Sequence, residues 1–393
     1  MKVQPNKTRR IHSLDSLRAI MMLLGLVIHS AITYGVVDYG NAWSLKDNIS
    51  TSLSNDFIVN FIHAFRMQTF FLVAGFFGAM LFYERKPKKM IKNRIARILL
   101  PFVVFVILLW PTIIFSFSYT NAIFDGNENA FADTLSMFSN PSIFIPKATF
   151  HLWFLYYLSI ITLASVLIAL IFLRLPKISN HIKKLFKWIF SKPLLRILIF
   201  ACVTALSYFI MQTTSVETST SFILDLNTFL YYFIFYIIGW ALYKSKEYLD
   251  TFMKYDWLST IMAIILFCIY FFLNNSLSYE LVIVLKSLMV WLFVFGISGI
   301  FIRYGSKHSS IMRYVSDSSY WVYLIHLTFT AILPSLIADW AFPATLKFLI
   351  VLITTSTICF VSYHYLVRGT FIGKFLNGRT YSKKISDIKQ MEK

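Results

Sequence analysis

Ten stretches of this sequence, near residues 14–34, 57–83, 96–118, 150–173, 195–212, 226–243, 256–273, 279–302, 319–337 and 344–367, are apolar for the length a helix needs to cross a membrane, roughly 20 residues for a hydrocarbon layer of about 30 Å. Lipid offers no water to backbone N–H and C=O groups, so each crossing segment has to satisfy its own hydrogen bonds as a helix. The expected fold is therefore an all-α polytopic membrane protein of about ten transmembrane helices. Only 14% of the residues are charged, against 58% hydrophobic with 40 Phe and 22 Tyr, well below the charge of a soluble domain.

A net charge of +19 would suit a nucleic-acid binder, but its placement argues for a membrane protein with no nucleic-acid partner. Lys2, Lys7, Arg9 and Arg10 precede the first run, residues 84–97 and 174–196 carry seven Lys or Arg each, and 303–313 and the tail from Arg368 are basic again. The intervening connections at 35–56, 119–149 and 213–225 hold Asp38, Asp47, Asp56, Asp125, Glu128, Asp133, Glu217 and Asp225 against only Lys46 and Lys147. The positive-inside rule then puts both termini in the cytoplasm; the mixed charge of 244–256 fits least well. This gives a cytoplasmic segment 1–13, a single transmembrane domain 14–367 and a basic cytoplasmic tail 368–393. Arg18 interrupts what would be a signal-peptide core, so the first run is expected to stay as helix one. Residues 119–149 are long enough to form an outer lid with a short helix. Cys202, Cys268 and Cys359 all lie in apolar runs, with no disulfide or metal spacing, and read as packing residues.

Ionisable side chains inside such runs mark functional sites. Arg18 and His29 both lie in the first, and eleven residues of helix turn by about 20° and rise about 16 Å, placing them on one face at two depths. Asp15, three residues before Arg18, can hold its guanidinium, although an ion pair at the membrane boundary accounts for Asp15 equally well. His29 suits general-base work, a hydrogen-bonded helix contact being the plainer reading. In the second run His63 and Arg66 share a face, with His63 at about the depth of His29. Arg94 and Arg97 at the start of the third read either as positive-inside anchors or as a cationic cup, with Arg18, for an anionic cofactor. His151 is either an interfacial residue or part of an acceptor cleft. Lys286 snorkels, pairs with Glu280 or meets an internal partner, and His326 reads chiefly as a helix contact. Gly75 and Gly78 read as sites of close helix packing.

The segments L-D-S-L-R-A with His29, F-R-M-Q-T-F-F-L-V-A-G, N-R-I-A-R-I-L-L-P, H-L-W-F-L and Y-W-V-Y-L-I-H-L resemble, in order, the motifs of the acyltransferase-3 family of integral-membrane O-acyltransferases. N-D-F, F-I-H-A-F-R-M-Q and H-L-W-F-L are most similar to the branch that succinylates osmoregulated periplasmic glucans. Gln68 fits that branch; Ala74, where the family often has Ser, and Leu327, where some relatives carry a second His, depart from the pattern.

The resemblance implies transfer of an acyl group from cytosolic acyl-coenzyme A, as succinyl- or acetyl-coenzyme A, to a periplasmic or surface glycan. The setting would be a bacterial inner membrane, with no permanently bound cofactor, membrane lipids as surroundings and homo-oligomers possible. His29, His63 and Arg66 would be catalytic, Arg18, Arg94 and Arg97 would hold the donor, and Asp15, His151, Lys286 and His326 would support the site or the acceptor. An O-acetyltransferase for another envelope glycan, and a transporter with a proton-relay histidine, are the competing readings. Discontinuous helices or repeated halves would favour the transporter.

Overall fold

The computed structural model describes residues 11–216 and 218–382. Lys2, Lys7, Arg9, Arg10, Glu217 and the tail beyond residue 382 lie outside the described residues. Ten helical spans are long and apolar enough to cross a membrane: His12–Tyr34, Leu53–Arg85, Pro87–Phe124, Phe150–Arg174, Pro193–Met211, Leu226–Lys244, Lys246–Ser276, Tyr279–Gly305, Ser310–Leu336 and Ala344–Val367. They are numbered one to ten below. No strand occurs among the described residues, and the chain is a multi-pass membrane protein.

Spans one and two form the centre. Of their most apolar windows 67% and 83% is buried, against 22% for span seven, so they are surrounded by protein where span seven faces outward. Span one packs against spans two, eight, nine and ten, while span two pairs with span six and span three with span nine. The two–six pair is close because both helices lack side chains where they cross. A Cβ on Gly75 would strike the carbonyl of Tyr236, and one on Gly239 the carbonyl of Leu72. Small residues at such crossings let backbones approach in lipid, where helices gain no hydrophobic stabilisation by meeting. Gly78 meets the Tyr236 ring in the same seam.

Several spans run beyond the apolar cores seen in the sequence. Span three begins at Pro87, passes through a π-helical turn at Ile95–Leu99 and continues to Phe124. Span two is interrupted: its first helix ends at His63, Ala64 and Phe65 form a turn, and a second helix starts at Arg66. Neither Gly nor Pro marks this break. The 244–256 connection is a 3₁₀ segment, Lys246–Tyr255. The lid contains one short helix, Ala130–Ser136. Between spans four and five lies an amphipathic helix, Pro176–Ser191, exposing Ile178, Leu185 and Trp188 beside its lysines, a pattern suited to the membrane interface.

Two ends of the bundle can be told apart. At the basic end the His12 and His308 rings meet, and Arg97 reaches the C-terminal segment. At the opposite end the 35–52 connection touches the Phe124 and Phe342 carbonyls.

Candidate active site

The site is built along one stripe of span one. Arg18, Gly25 and His29 fall within about 40° of one another around the helix, spaced about 10 Å and 6 Å along it. Arg18 lies near the basic end, 3.3 Å from Asp15 and with its guanidinium 5.5 Å from the Phe77 ring centre. Midway, Arg66 donates from Nε to the Met21 carbonyl at 2.8 Å, and its guanidinium lies over Gly25, where any Cβ would overlap it. The break in span two makes this possible, because it places Arg66 at the first position of a new helix, aimed across at span one.

At the far end of the stripe the His29 ring meets two other aromatic rings, one stacked and one tilted. These are Trp43, at a centroid distance of 5.2 Å and 22° interplanar angle, and His326, at 5.3 Å and 39°. His151 meets His326 edge-on at 5.1 Å, so the imidazoles form a chain with His326 in the middle. Backbone carbonyls fix two of them. Nδ1 of His326 faces the carbonyls of Val322 and Tyr323 at 3.1 and 2.7 Å, which makes Nδ1 the donor and leaves Nε2 buried without a partner among the described residues. Nε2 of His151 likewise faces the Leu324 carbonyl at 2.9 Å, leaving its Nδ1 bare, and Tyr323 donates to the His151 carbonyl at 2.7 Å. His151 follows Phe150, whose φ of 45° is a left-handed conformation costly for a side chain of that size.

His63 is exposed and His29 half-buried, whereas Arg66, His151 and His326 are buried. His63 is within electrostatic reach of His29 and Arg66, but the ring against His29 is that of His326.

The other predicted residues separate. Arg94 stands within electrostatic reach of Arg18 and Tyr236, with Nε and Nη2 buried and unpaired among the described residues. Arg97 instead donates to the carbonyls of Lys374 and Phe375 at 2.9 and 2.6 Å, closing the end of the short helix Phe371–Asn377. Of the three arginines expected to form a cup, Arg94 stands near Arg18 and Arg97 is bonded elsewhere. Lys286 bonds the Thr214 carbonyl at 2.9 Å and sits over the Tyr270 ring, so its partner is internal and is not Glu280. A crevice of about 420 Å³ between spans three and nine, lined by Pro111, Phe115, Phe138 and Thr328, contains none of these groups. Among the described residues no group of three or more His, Cys, Asp or Glu is placed to hold a metal ion.

Sequence reasoning missed three features. Trp43, in the connection after span one, and Gly25, on the span-one stripe, were not singled out. Lys347, at the start of span ten, is fully buried in an ion pair with Asp47 at 2.7 Å.

The break in span two is a discontinuity of the kind a transporter would also show, so the buried imidazoles and guanidinia alone do not separate a membrane enzyme from a transporter, and it is the comparisons that give the family. The acyltransferase domain family matches residues 11–364, and the chain belongs to that family. It is 25% identical over 406 residues, 98% of this chain and 99% of the relative, to Glucans biosynthesis protein C of Escherichia coli O81 (strain ED1a). Glucans biosynthesis protein C of Salmonella paratyphi B (strain ATCC BAA-1250 / SPB7) is 33% identical over 160 residues, 40% of this chain and 38% of the relative. No solved structure matches.

Proposed function

We propose that this membrane acyltransferase moves an acyl group, succinyl, from a cytosolic acyl-coenzyme A to hydroxyl groups of a periplasmic glucan. The observation that carries the reading is the stripe on span one. It joins a cation near the basic end to an imidazole near the opposite end, with Arg66 held between them. With the basic end in the cytosol, Arg18 and Arg94 receive the coenzyme A phosphates, Arg94 through its unpaired guanidinium nitrogens. The thioester then lies near Arg66. His29 takes the proton of a sugar hydroxyl as its oxygen attacks the thioester carbon, and Arg66 stabilises the charge that develops on the carbonyl oxygen. The C–O bond forms, the C–S bond breaks, and the proton passes to the leaving thiolate. The names of the relatives support a part in glucan biosynthesis, and so a glucan acceptor.

The test uses the full chain in nanodiscs with labelled succinyl- and acetyl-coenzyme A and periplasmic glucan. Succinyl transfer that is lost in His29→Ala supports the proposal. Preference for the acetyl donor, or transfer only to another envelope glycan, would keep the chemistry and replace the substrates. Consumption of neither donor by folded protein would overturn it.

A further inference from the structure

The connection 35–52 is tied down along its whole length. Asp56 accepts from the amides of Val36 and Val37 at 2.6 and 3.3 Å. Asn48 donates to the Phe124 carbonyl at 2.6 Å, Ser50 to that of Phe342 at 2.9 Å, and Asn121 to Ser44 at 3.0 Å. The deepest tie is Asp47. Its amide bonds the Thr33 carbonyl, one carboxylate oxygen accepts from Ile49 and Ser50, and the other meets Lys347 at 2.7 Å. The two side chains are 2% and 0% exposed, and Lys347 also reaches the Ala338 carbonyl. Replacing a buried ion pair by apolar residues seldom lowers stability, and its best-attested use is fixing one arrangement among several. What this pair fixes is the strap, and four residues before Asp47 the strap carries Trp43.

Trp43 is buried, its indole N–H bonded to Thr33 at 2.9 Å and its ring edge-on to Phe117 at 5.0 Å. Its flat face covers His29. A general base is usually aimed by a hydrogen bond to its second ring nitrogen, as backbone carbonyls aim His151 and His326 here. Nδ1 of His29 has no partner among the described residues. The orientation of its ring therefore falls to packing against the rings of Trp43 and His326.

We infer that Trp43 is the positioning residue for His29, and that the Asp47–Lys347 pair latches the strap that holds it there. The role given to Trp43 rests on the assignment of His29 as the base; the latch itself does not. A misaimed reacting group costs up to about a hundredfold in rate, so Trp43→Ala should lower kcat about 10- to 100-fold with donor KM changed less than about twofold, because the donor site lies toward the other end of span one. Trp43→Phe, which keeps a stacking ring, should stay within about fivefold of wild type. Lys347→Met should lower kcat about tenfold and red-shift the emission of Trp43, read as the difference between each protein and its Trp43→Phe counterpart, as the indole meets water. The exchange Asp47→Lys/Lys347→Asp should recover part of both.

All variants are assayed as full-length protein in nanodiscs, with thermal unfolding measured alongside. Wild-type kcat in Trp43→Ala would overturn the positioning role, and unchanged Trp43 emission in Lys347→Met would overturn the latch. A fall in kcat that tracks unfolding, is accompanied by a raised donor KM and is not rescued by the exchange would reduce the pair to a stability element and overturn the inference. If wild type transfers no acyl group while the emission shift appears, the assignment of His29 falls and the latch stands.

Discussion

The guanidinium of Arg66 rests on the bare Cα of Gly25, where a single methyl group would overlap it. A glycine inside a helix costs about 1 kcal/mol relative to alanine, so its use here trades helix stability for room. Gly25→Ala should therefore leave the bundle folded, since the overlapping atoms are the far end of a flexible side chain, but push Arg66 off span one. Removing one donor to a developing oxyanion costs about 10²–10³ in kcat; displacing Arg66 should cost about 10- to 100-fold. Steady-state kinetics with unchanged thermal unfolding would establish this, and wild-type kcat would remove Arg66 from the reaction.

Arg94 and Arg97 lie three residues apart and are differently placed. Two buried nitrogens of Arg94 have no partner among the described residues, while Arg97 is committed to the carbonyls of Lys374 and Phe375. A hydrogen bond to a charged group contributes about 1.5–3 kcal/mol, so Arg94→Ala should weaken acyl-coenzyme A binding by about 10- to 100-fold. Arg97→Ala should change donor affinity less than about threefold and instead expose the Phe371–Asn377 helix to proteolysis. Titration calorimetry and limited digestion of both variants separate the two roles; equal losses of donor affinity would restore Arg97 to the donor site.

Gly75 and Gly239 form a single contact between spans two and six, each against a carbonyl of the other helix. Alanine at either site overpacks that contact, at about 1–3 kcal/mol. Because the helices separate once for both, the double substitution should cost clearly less than the sum of the singles. Gly305→Ala, whose Cβ would find its nearest atom at 3.6 Å, should be neutral. Thermal midpoints of the four variants in one detergent would show the pattern, and additive losses would mean the two glycines act separately.

The bundle was legible from the sequence because a span is a local property. Each apolar run announces itself, and Asp15 beside Arg18 follows from a three-residue spacing. Which helix faces which is not local. His29 and His326 are 297 positions apart, and nothing in the turn around His326 says that it meets an imidazole. Lys347 at the start of a span reads as a boundary residue until Asp47, from a loop, is folded down onto it. Arg97 carries the same cationic signal as Arg94, and only the returning C-terminal segment distinguishes them. The break at Ala64–Phe65 has no Gly or Pro to announce it. One signal was present and unread: Gly25 lies on the Arg18–His29 stripe, where a missing side chain implies a neighbour that fills the space.

His326 is the residue whose assigned weight the structure changes most. Its Nδ1 is held by two carbonyls, so Nε2 is an acceptor with a fixed direction, and its ring stands 5.3 Å from that of His29. With His29 as the proposed base, the proton it takes up would add a second positive charge near Arg66, and Nε2 of His326 and Nδ1 of His151, buried and without a partner among the described residues, are the neighbouring lone pairs that would offset it. Two variants divide packing from proton acceptance. His326→Phe keeps a flat ring in the stack and removes the acceptor, while His326→Gln keeps a polar group and loses the ring. If proton acceptance is the contribution, His326→Phe should lose about 10²-fold in kcat with donor affinity and thermal midpoint near wild type. If the ring only buttresses His29, His326→Phe should work almost normally and His326→Gln should be the impaired one. Single-turnover transfer rates for the two variants decide between these outcomes, because they report the chemical step free of product release.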